Sequence, residues 1–377
     1  MRRVNRHLTP QPLPQRKGID AVSFTLPDAN DPTDNVLGTS TVLDYLVARF
    51  YPYQYELFAS RFERKEVRDA QGNPVAPTAP LTGQKIWYYR ELGQEKPVPF
   101  DMPVLYEDEW VLAIDKPHFL PTTPNGSFVA HTALTQLRVR ERNPALIPIH
   151  RLDRATAGVV LFAKVPEARA PFQTMFQRRE PTKTYEAIAA PLSTGGTELA
   201  PGESLTVRSR IENAHGSLQV AQTDIEFLAG DAPALPLETK AQLRERRRSG
   251  AGFSGQNAQS RITCLETFEL APGLLPDAST ANPALPLPAP GRRLTRYLLE
   301  PHTGKTHQLR VHLAATGAPI LGDVVYPEVL PIAEDEPALP LQLLARSLSF
   351  SHPVTGQAVL VESQRQLTLA PGPSGAP

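Results

Sequence analysis

IHRLDRATAGVVLFAK, residues 149–164, sets His150, Arg151, Asp153 and Arg154 directly before an unbroken apolar run. GVVLFAK reads as a strand covered on both faces, because a short apolar stretch between polar residues leaves no solvent side. Four ionisable groups at such an edge are costly to desolvate unless they are paired or used. The stretch is therefore either a structural ion-pair cluster or a reaction centre. Outward from it, HTALTQLRVRER reads as a helix with Leu134 and Leu137 inward. PEARAPFQTMFQRRE reads as a second helix, burying Ala168, Phe172, Met175 and Phe176. VLAIDKP is a short apolar strand, and KTYEAIAAP, RITCLETFEL and RRLTRYLLE alternate as strands do. KTHQLRVHLAATG closes as a helix, with Gly317 where a left-handed cap belongs. Strand and helix do not alternate regularly enough for a doubly wound sheet. The fold class expected is α+β: a mixed, mainly antiparallel sheet with flanking helices.

Prolines, 40 in all, mark where this patterning lapses. Residues 1–38 read as a basic, flexible arm. Residues 39–96 form a small module: TVLDYLVARF is a helix capped by Thr41, with Val42, Leu43, Leu46, Val47 and Phe50 on one face. A second helical piece runs to Phe62, and VRDAQGNPV turns into the strand-like KIWYYREL. PVPFDMP links it to a main domain over 100–365. Inserted loops are expected near 228–260, containing RERRRSGAGFSGQN, and near 271–290. Residues 366–377 read as a disordered tail.

With 377 residues and 41% hydrophobic content, the chain can bury a sizeable core and a smaller one. The single cysteine, Cys264, forms no internal disulfide and no thiolate zinc cage, which suits a reducing compartment. The basic, proline-broken start lacks the apolar stretch of a secretory signal, and no run approaches membrane-spanning length. A cytoplasmic protein without a membrane partner is expected. Lys plus Arg equals Asp plus Glu at 39 each, so no global excess announces a polyanion. Locally the balance shifts: residues 131–180 hold nine cations against four acids, and 291–316 hold five against one. An anionic partner fits these windows.

Several chemistries fail on spacing. Gly304-Lys305-Thr306 matches the end of a phosphate loop, but the first glycine would fall on Leu299. His302, His307 and His312 are five apart, a step that turns a helix about 140° beyond one full turn, so His307 and His312 cannot grip one metal ion. Cys264 sits within strand-like RITCLE as a packed thiol, and the serines near His150 lack a nucleophile-elbow setting. Asp153 remains as the reactive candidate, held ionised by neighbouring arginines, with a structural Asp–Arg pair as the other reading.

HRLDRATAG, KTYEA, HTGKTHQLRVHLAATGAPILGDVVYP and LLARSLSFSHPVTG, in that order, resemble the RluA family of RNA pseudouridine synthases, and DKPHFLPTTPNG resembles the family's opening motif. The resemblance spans roughly residues 100–362 and implies the pseudouridine synthase catalytic fold. It implies that Asp153 is the catalytic aspartate. Arg151 is similar to the arginine that displaces the target nucleotide and contacts the RNA backbone. Tyr185 matches the tyrosine lying against the flipped base, Arg310 the basic residue that pairs with the aspartate, and Leu309 an apolar residue of the pocket. Ala157 stands where relatives usually have Ser, and Leu344 where they commonly have His. DYLVARF, VRDAQGNPV and PLTGQKI are similar in order to an S4-like RNA-binding module.

The implied partner is ribosomal or transfer RNA. Neither metal nor cofactor is required, and no obligate protein partner is expected, which makes the protein a monomer. Glycosidases need two carboxylates, but an isomerase that keeps its leaving group can work with one. Asp153 would attack the sugar or abstract a sugar proton, and Tyr185 could assist removal of the carbon-bound proton. A non-catalytic RNA-binding protein using the same pocket, and an unrelated small-molecule lyase, are the competing readings.

Overall fold

The computed structural model describes residues 12–31, 35, 37–50, 55–90, 95, 97–98, 100–125, 128–214, 217–236, 255–271, 273, 288–331 and 339–371. Most of the two expected inserted loops, the first eleven residues and the last six lie outside them. The chain divides into two compact units, one drawn from Met1–Lys96 and Pro124–Pro144, the other from Pro97–Thr123 and Ala145–Pro377.

The first unit has strands β1 (Val22–Thr25), β2 (Arg68–Asp69) and β3 (Lys85–Tyr88), paired antiparallel in the order β1-β3-β2. Helices α1 (Val42–Phe50) and α2 (Tyr55–Glu63) contribute Leu46 and Phe58 to a core with Leu26, Leu81 and Ile86. The Thr41 oxygen accepts the Asp44 N–H at 3.2 Å, the cap expected of it. Phe50, expected inward, is exposed at the helix end.

The expected loose arm differs from what is found. Leu13, Ile19, Ala21 and Leu26 are buried, and β1 falls within it. Lys17 and Gly18 both have positive φ and form a tight turn closed by the Arg16–Ile19 bridge. The turn docks on α3 (Ala133–Arg140), whose buried Arg138 donates to the Gly18 carbonyl at 3.1 Å and the Asp20 carboxylate at 2.8 Å. That helix, read from sequence as part of the main domain, groups with this unit instead.

The second unit is built on one large sheet. Its strands are β4 (Val104–Glu107), β5 (Val111–Lys116), β6 (Ile147–Pro148), β7 (Ala157–Ala163) and β8 (Thr182–Ala189); a short hairpin of β9 (Ser193–Thr194) and β10 (Thr197–Glu198) stands apart. The sheet continues with β11 (Ser204–Asn213), β12 (Val220–Ala229), β13 (Ala258–Glu269), β14 (Arg293–Pro301), β15 (Leu343–Ser351) and β16 (Ala358–Glu362). Among the described residues it has eleven strands, with the path β12-β11-β13-β14-β8-β15-β7-β5-β4, β16 beside β15 and β6 beside β7. Pairing is antiparallel except between β15 and β7, so the mixed, mainly antiparallel α+β class is what is found.

All seven residues of β7 are buried, as an apolar run without a polar face demands. Helix α4 (Pro166–Gln177) packs Ala168, Phe172 and Met175 against Val159 and Leu161 of β7. Helix α5 (Gln308–Ala315) packs Leu309 and Leu313 against Val207, Ile262 and Leu299. Gly317, at φ +82, follows the C-terminus of α5 as expected. At the parallel junction Leu344 is in register with Ala157, and Ala345 with Gly158. Gly158 has φ +116, and a Cβ there would collide with the Ala345 carbonyl, so the strands meet only because this residue is glycine. The start of the expected tail is ordered: Leu367 and Leu369 are buried with Ile188 and Leu294.

Candidate active site

The loop from Ile149 to Thr156 leads into β7, and its backbone is pinned nearly residue by residue. Ile149 N–H donates to the Leu161 carbonyl at 2.9 Å, and Leu161 N–H donates to His150 Nε2 at 3.2 Å. The His150 ring stacks on Phe176, 4.7 Å between centroids, and burial lowers its pKa to about 3. His150 is thus a neutral acceptor that fastens the loop, which answers why an imidazole opens the motif. Thr122 bonds Leu152 twice, its hydroxyl donating to the carbonyl at 2.9 Å and its oxygen accepting the N–H at 3.2 Å. His118 Nδ1 lies 2.6 Å from the Ala155 carbonyl.

Lys116, at the end of β5, is fully enclosed, and its ammonium donates to the carbonyls of Pro117 (2.9 Å), Leu120 (2.8 Å) and Arg154 (3.4 Å). Burial lowers its pKa to about 7, against the upward pull of Asp153. The DKPHFLPT stretch is therefore the cradle of the Asp153 loop.

Asp153, so held, keeps its side chain a quarter exposed, with Oδ2 3.6 Å from Arg310 Nη1 and 3.7 Å from His307 Nε2. The expected Arg310–Asp153 pair is thus present, but it is not the closest that Arg310 makes. The close partner of Arg310 is Asp323, which accepts from Nε and Nη2 at 2.7 Å each. Asp323 is itself fixed by the N–H groups of Val325 (2.8 Å) and Tyr326 (3.1 Å). A bidentate fork uses one edge of the guanidinium and leaves Nη1 to face Asp153. The two carboxylates together hold Arg310 above its ordinary pKa despite its burial.

His307 precedes α5 in a left-handed conformation, φ +55. Its Nδ1 lies 3.0 Å from the Tyr326 hydroxyl, whose oxygen accepts the Val220 N–H at 2.8 Å. With its oxygen so engaged, the hydroxyl donates to Nδ1, and neutral His307 presents an N–H at Nε2 towards Asp153. Tyr185, on β8, has its pKa raised first by burial and then by the charge of Asp153, so it is a neutral phenol at physiological pH.

Arg151, Asp153, Tyr185, Leu309 and Arg310, the five residues singled out from sequence, all line one cavity of about 120 Å³. Asp153 is the only carboxylate on its wall among the described residues. Sequence reasoning missed Asp323, Tyr326, Lys116 and the role of His307. Asp323 and Tyr326 stood in the LGDVVYP motif, and Lys116 in DKP, without a signal of what they face. Cys264 is buried in β13, as expected of an inert thiol.

Comparison with known proteins finds relatives along most of the chain. The chain is similar to a ribosomal large subunit pseudouridine synthase D of Xanthomonas campestris pv. campestris, 28% identical over 358 residues, covering 88% of this chain and 90% of that one. It is 28% identical over 286 residues to an uncharacterised RNA pseudouridine synthase of Synechocystis sp., covering 76% and 79%. It is also 29% identical over 258 residues to the dual-specificity RNA pseudouridine synthase RluA of Salmonella typhi, covering 68% and 90%. The sequence profile of a family described as RNA pseudouridylate synthase matches residues 110–315, more than half of the chain, with Arg151, Asp153, Tyr185, His307, Leu309 and Arg310 inside the match and Asp323 and Tyr326 beyond it. The chain belongs to the RNA pseudouridylate synthase family.

Proposed function

We propose that this protein isomerises uridine to pseudouridine in structured ribosomal or transfer RNA, with Asp153 as the catalytic residue. The observation that carries the reading is a single, partly exposed carboxylate on the wall of a small cavity. Hydrolysis of a glycosidic bond calls for two such groups, one of them to manage water. An isomerase retains the detached base and needs one.

The target nucleotide leaves its stack at a cost of a few kcal/mol, offset by backbone contacts that Arg151 is placed to make. The extruded base lies against Tyr185 and Leu309. Asp153 attacks the sugar or removes a sugar proton while Arg310 and His307 keep it charged and aimed. Burial and the charge of Asp153 favour the neutral phenol, which suits Tyr185 better to a surface and hydroxyl donor than to a base for the carbon-bound proton. We further propose that the first unit is an S4-like RNA-binding module and that the protein works as a cytoplasmic monomer. No helix among the described residues is long and apolar enough to cross a membrane.

The test is tritium release into water from RNA labelled at carbon 5 of uridine. Wild-type protein is expected to release it from one ribosomal or transfer RNA transcript, and Asp153→Asn, with unchanged circular dichroism, to release none. Release by Asp153→Asn at the wild-type rate would remove the aspartate from the mechanism.

A further inference from the structure

The cavity beside Asp153 does not stand alone. Arg151, Lys183, Tyr185 and Lys305 also line a groove of about 680 Å³. Lys183 and Arg179 are shared between that groove and a third cavity of about 400 Å³, roofed in part by Asp231, Ala232 and Ala234. Lys183 therefore stands where all three spaces meet.

The charges on this wall do not balance. Of the acids around the outer cavity, Asp231 and Glu300 both pair with Arg261, at 2.5 and 3.3 Å, and Glu180 lies 3.7 Å from Arg178. That leaves Lys183, Arg179 and His302 without a carboxylate among the described residues. Arg179 donates to the Leu235 carbonyl at 2.8 Å. The Lys183 side chain makes no hydrogen bond or ion pair among the described residues, and the charge that acts on it is that of Arg179, with His150 and His302 both held towards the neutral form beside it. Like charges gathered in a half-buried recess raise the free energy of the empty site, and a bound anion relieves it.

The recess is also built. Segment 230–236, at the start of what the sequence marks as an inserted loop, straps across it. Gly230 accepts from the Thr206 hydroxyl at 2.7 Å, Leu235 N–H donates to Gln259 Oε1 at 2.8 Å, and Gln259 Nε2 reaches the Ala232 carbonyl at 3.3 Å. The Leu235 carbonyl thereby fixes Arg179 on the wall.

We propose that Lys183 and Arg179 form a phosphate clamp, taking the RNA backbone phosphate next to the extruded uridine, with the 230–236 strap setting the position of Arg179. The proposal rests on the uridine-isomerase reading, since only a base lodged at Asp153 brings its neighbouring phosphate to this groove. Burial and Arg179 lower the Lys183 pKa to about 8, so occupancy by a phosphate is coupled to holding that proton.

The test uses full-length Asp153→Asn protein and the transcript from which wild type releases tritium, with affinity measured against KCl concentration. Adding Lys183→Gln is expected to weaken binding about tenfold and to flatten the log–log salt slope by about 0.7, the share of one single-strand phosphate. Arg179→Gln should do the same, so the test survives poor folding of either variant. Lys183→Arg, which keeps the charge, is expected to restore the slope. It should also abolish the loss of affinity that Asp153→Asn protein with native Lys183 shows as pH rises from about 7 to about 9. An unchanged slope in both neutral variants overturns the clamp while leaving the isomerase reading intact. Failure of the wild type to release tritium from any RNA overturns the isomerase reading itself.

Discussion

The two walls of the Asp153 cavity are charged by opposite rules. On the α5 side every charge is answered: Asp323 locks two nitrogens of Arg310, and the third faces Asp153. On the β8 side the charge of Arg179 acts on Lys183 with no carboxylate paired to either among the described residues. The first arrangement stabilises the folded protein and fixes the proposed reacting group before substrate arrives. The second costs stability and becomes favourable only when a polyanion enters. The difference separates preorganisation from recognition, and it makes the two walls respond differently to substitution.

The largest effect is expected from Asp323→Ala, which strands a buried guanidinium. It should cost about 3–5 kcal/mol in urea denaturation and abolish tritium release. Lys116→Met comes next, because three loop carbonyls lose a charged donor; about 2 kcal/mol is expected, with a fall in kcat. Its pH signature has a definite sign. A lysine whose folded pKa lies below its unfolded value binds fewer protons when folded, so its penalty is full below about pH 7 and is relieved as pH rises towards 10.5. Stability measured across that window should rise less steeply in Lys116→Met than in wild type. Tyr326→Phe removes the hydroxyl that orients His307 and should cost about 1 kcal/mol with a several-fold fall in kcat. Lys183→Gln belongs to the other wall: stability should change by less than about 0.5 kcal/mol, or rise, while RNA affinity drops. A loss above about 2 kcal/mol there would erase the contrast between the walls.

The strands of the large sheet were legible because alternation and apolar runs carry their own face assignments. The five proposed site residues converge because the ordered motifs that hold them lie on β7, β8 and α5. What sequence could not yield was partner choice. Arg310 pairs most closely with Asp323, thirteen residues on in a loop, and one-dimensional spacing cannot distinguish that acid from Asp153. Prolines mask the apolar residues of the N-terminal arm, so its sequence reads as loose. The Lys17-Gly18 pair supports a tight turn, and the order of residues 12–26 comes from burial of Leu13, Ile19, Ala21 and Leu26. Likewise α3 gives no sign in its own sequence of which unit it joins; the decision lies in Arg138 and a carbonyl 120 positions away.

Strand β15 lies between β8 and β7, the last long strand of the chain wedged into the middle of the sheet. Asp153 hangs from the β7 half, whereas Tyr185 and Arg310 belong to the β8–β14 half. A nascent chain released as far as α5 therefore carries Asp153, Tyr185 and Arg310 yet lacks Asp323 and the seam that joins the halves. Closure of the sheet, and of the cavity whose wall includes Leu343, therefore waits on the last long strand to be made.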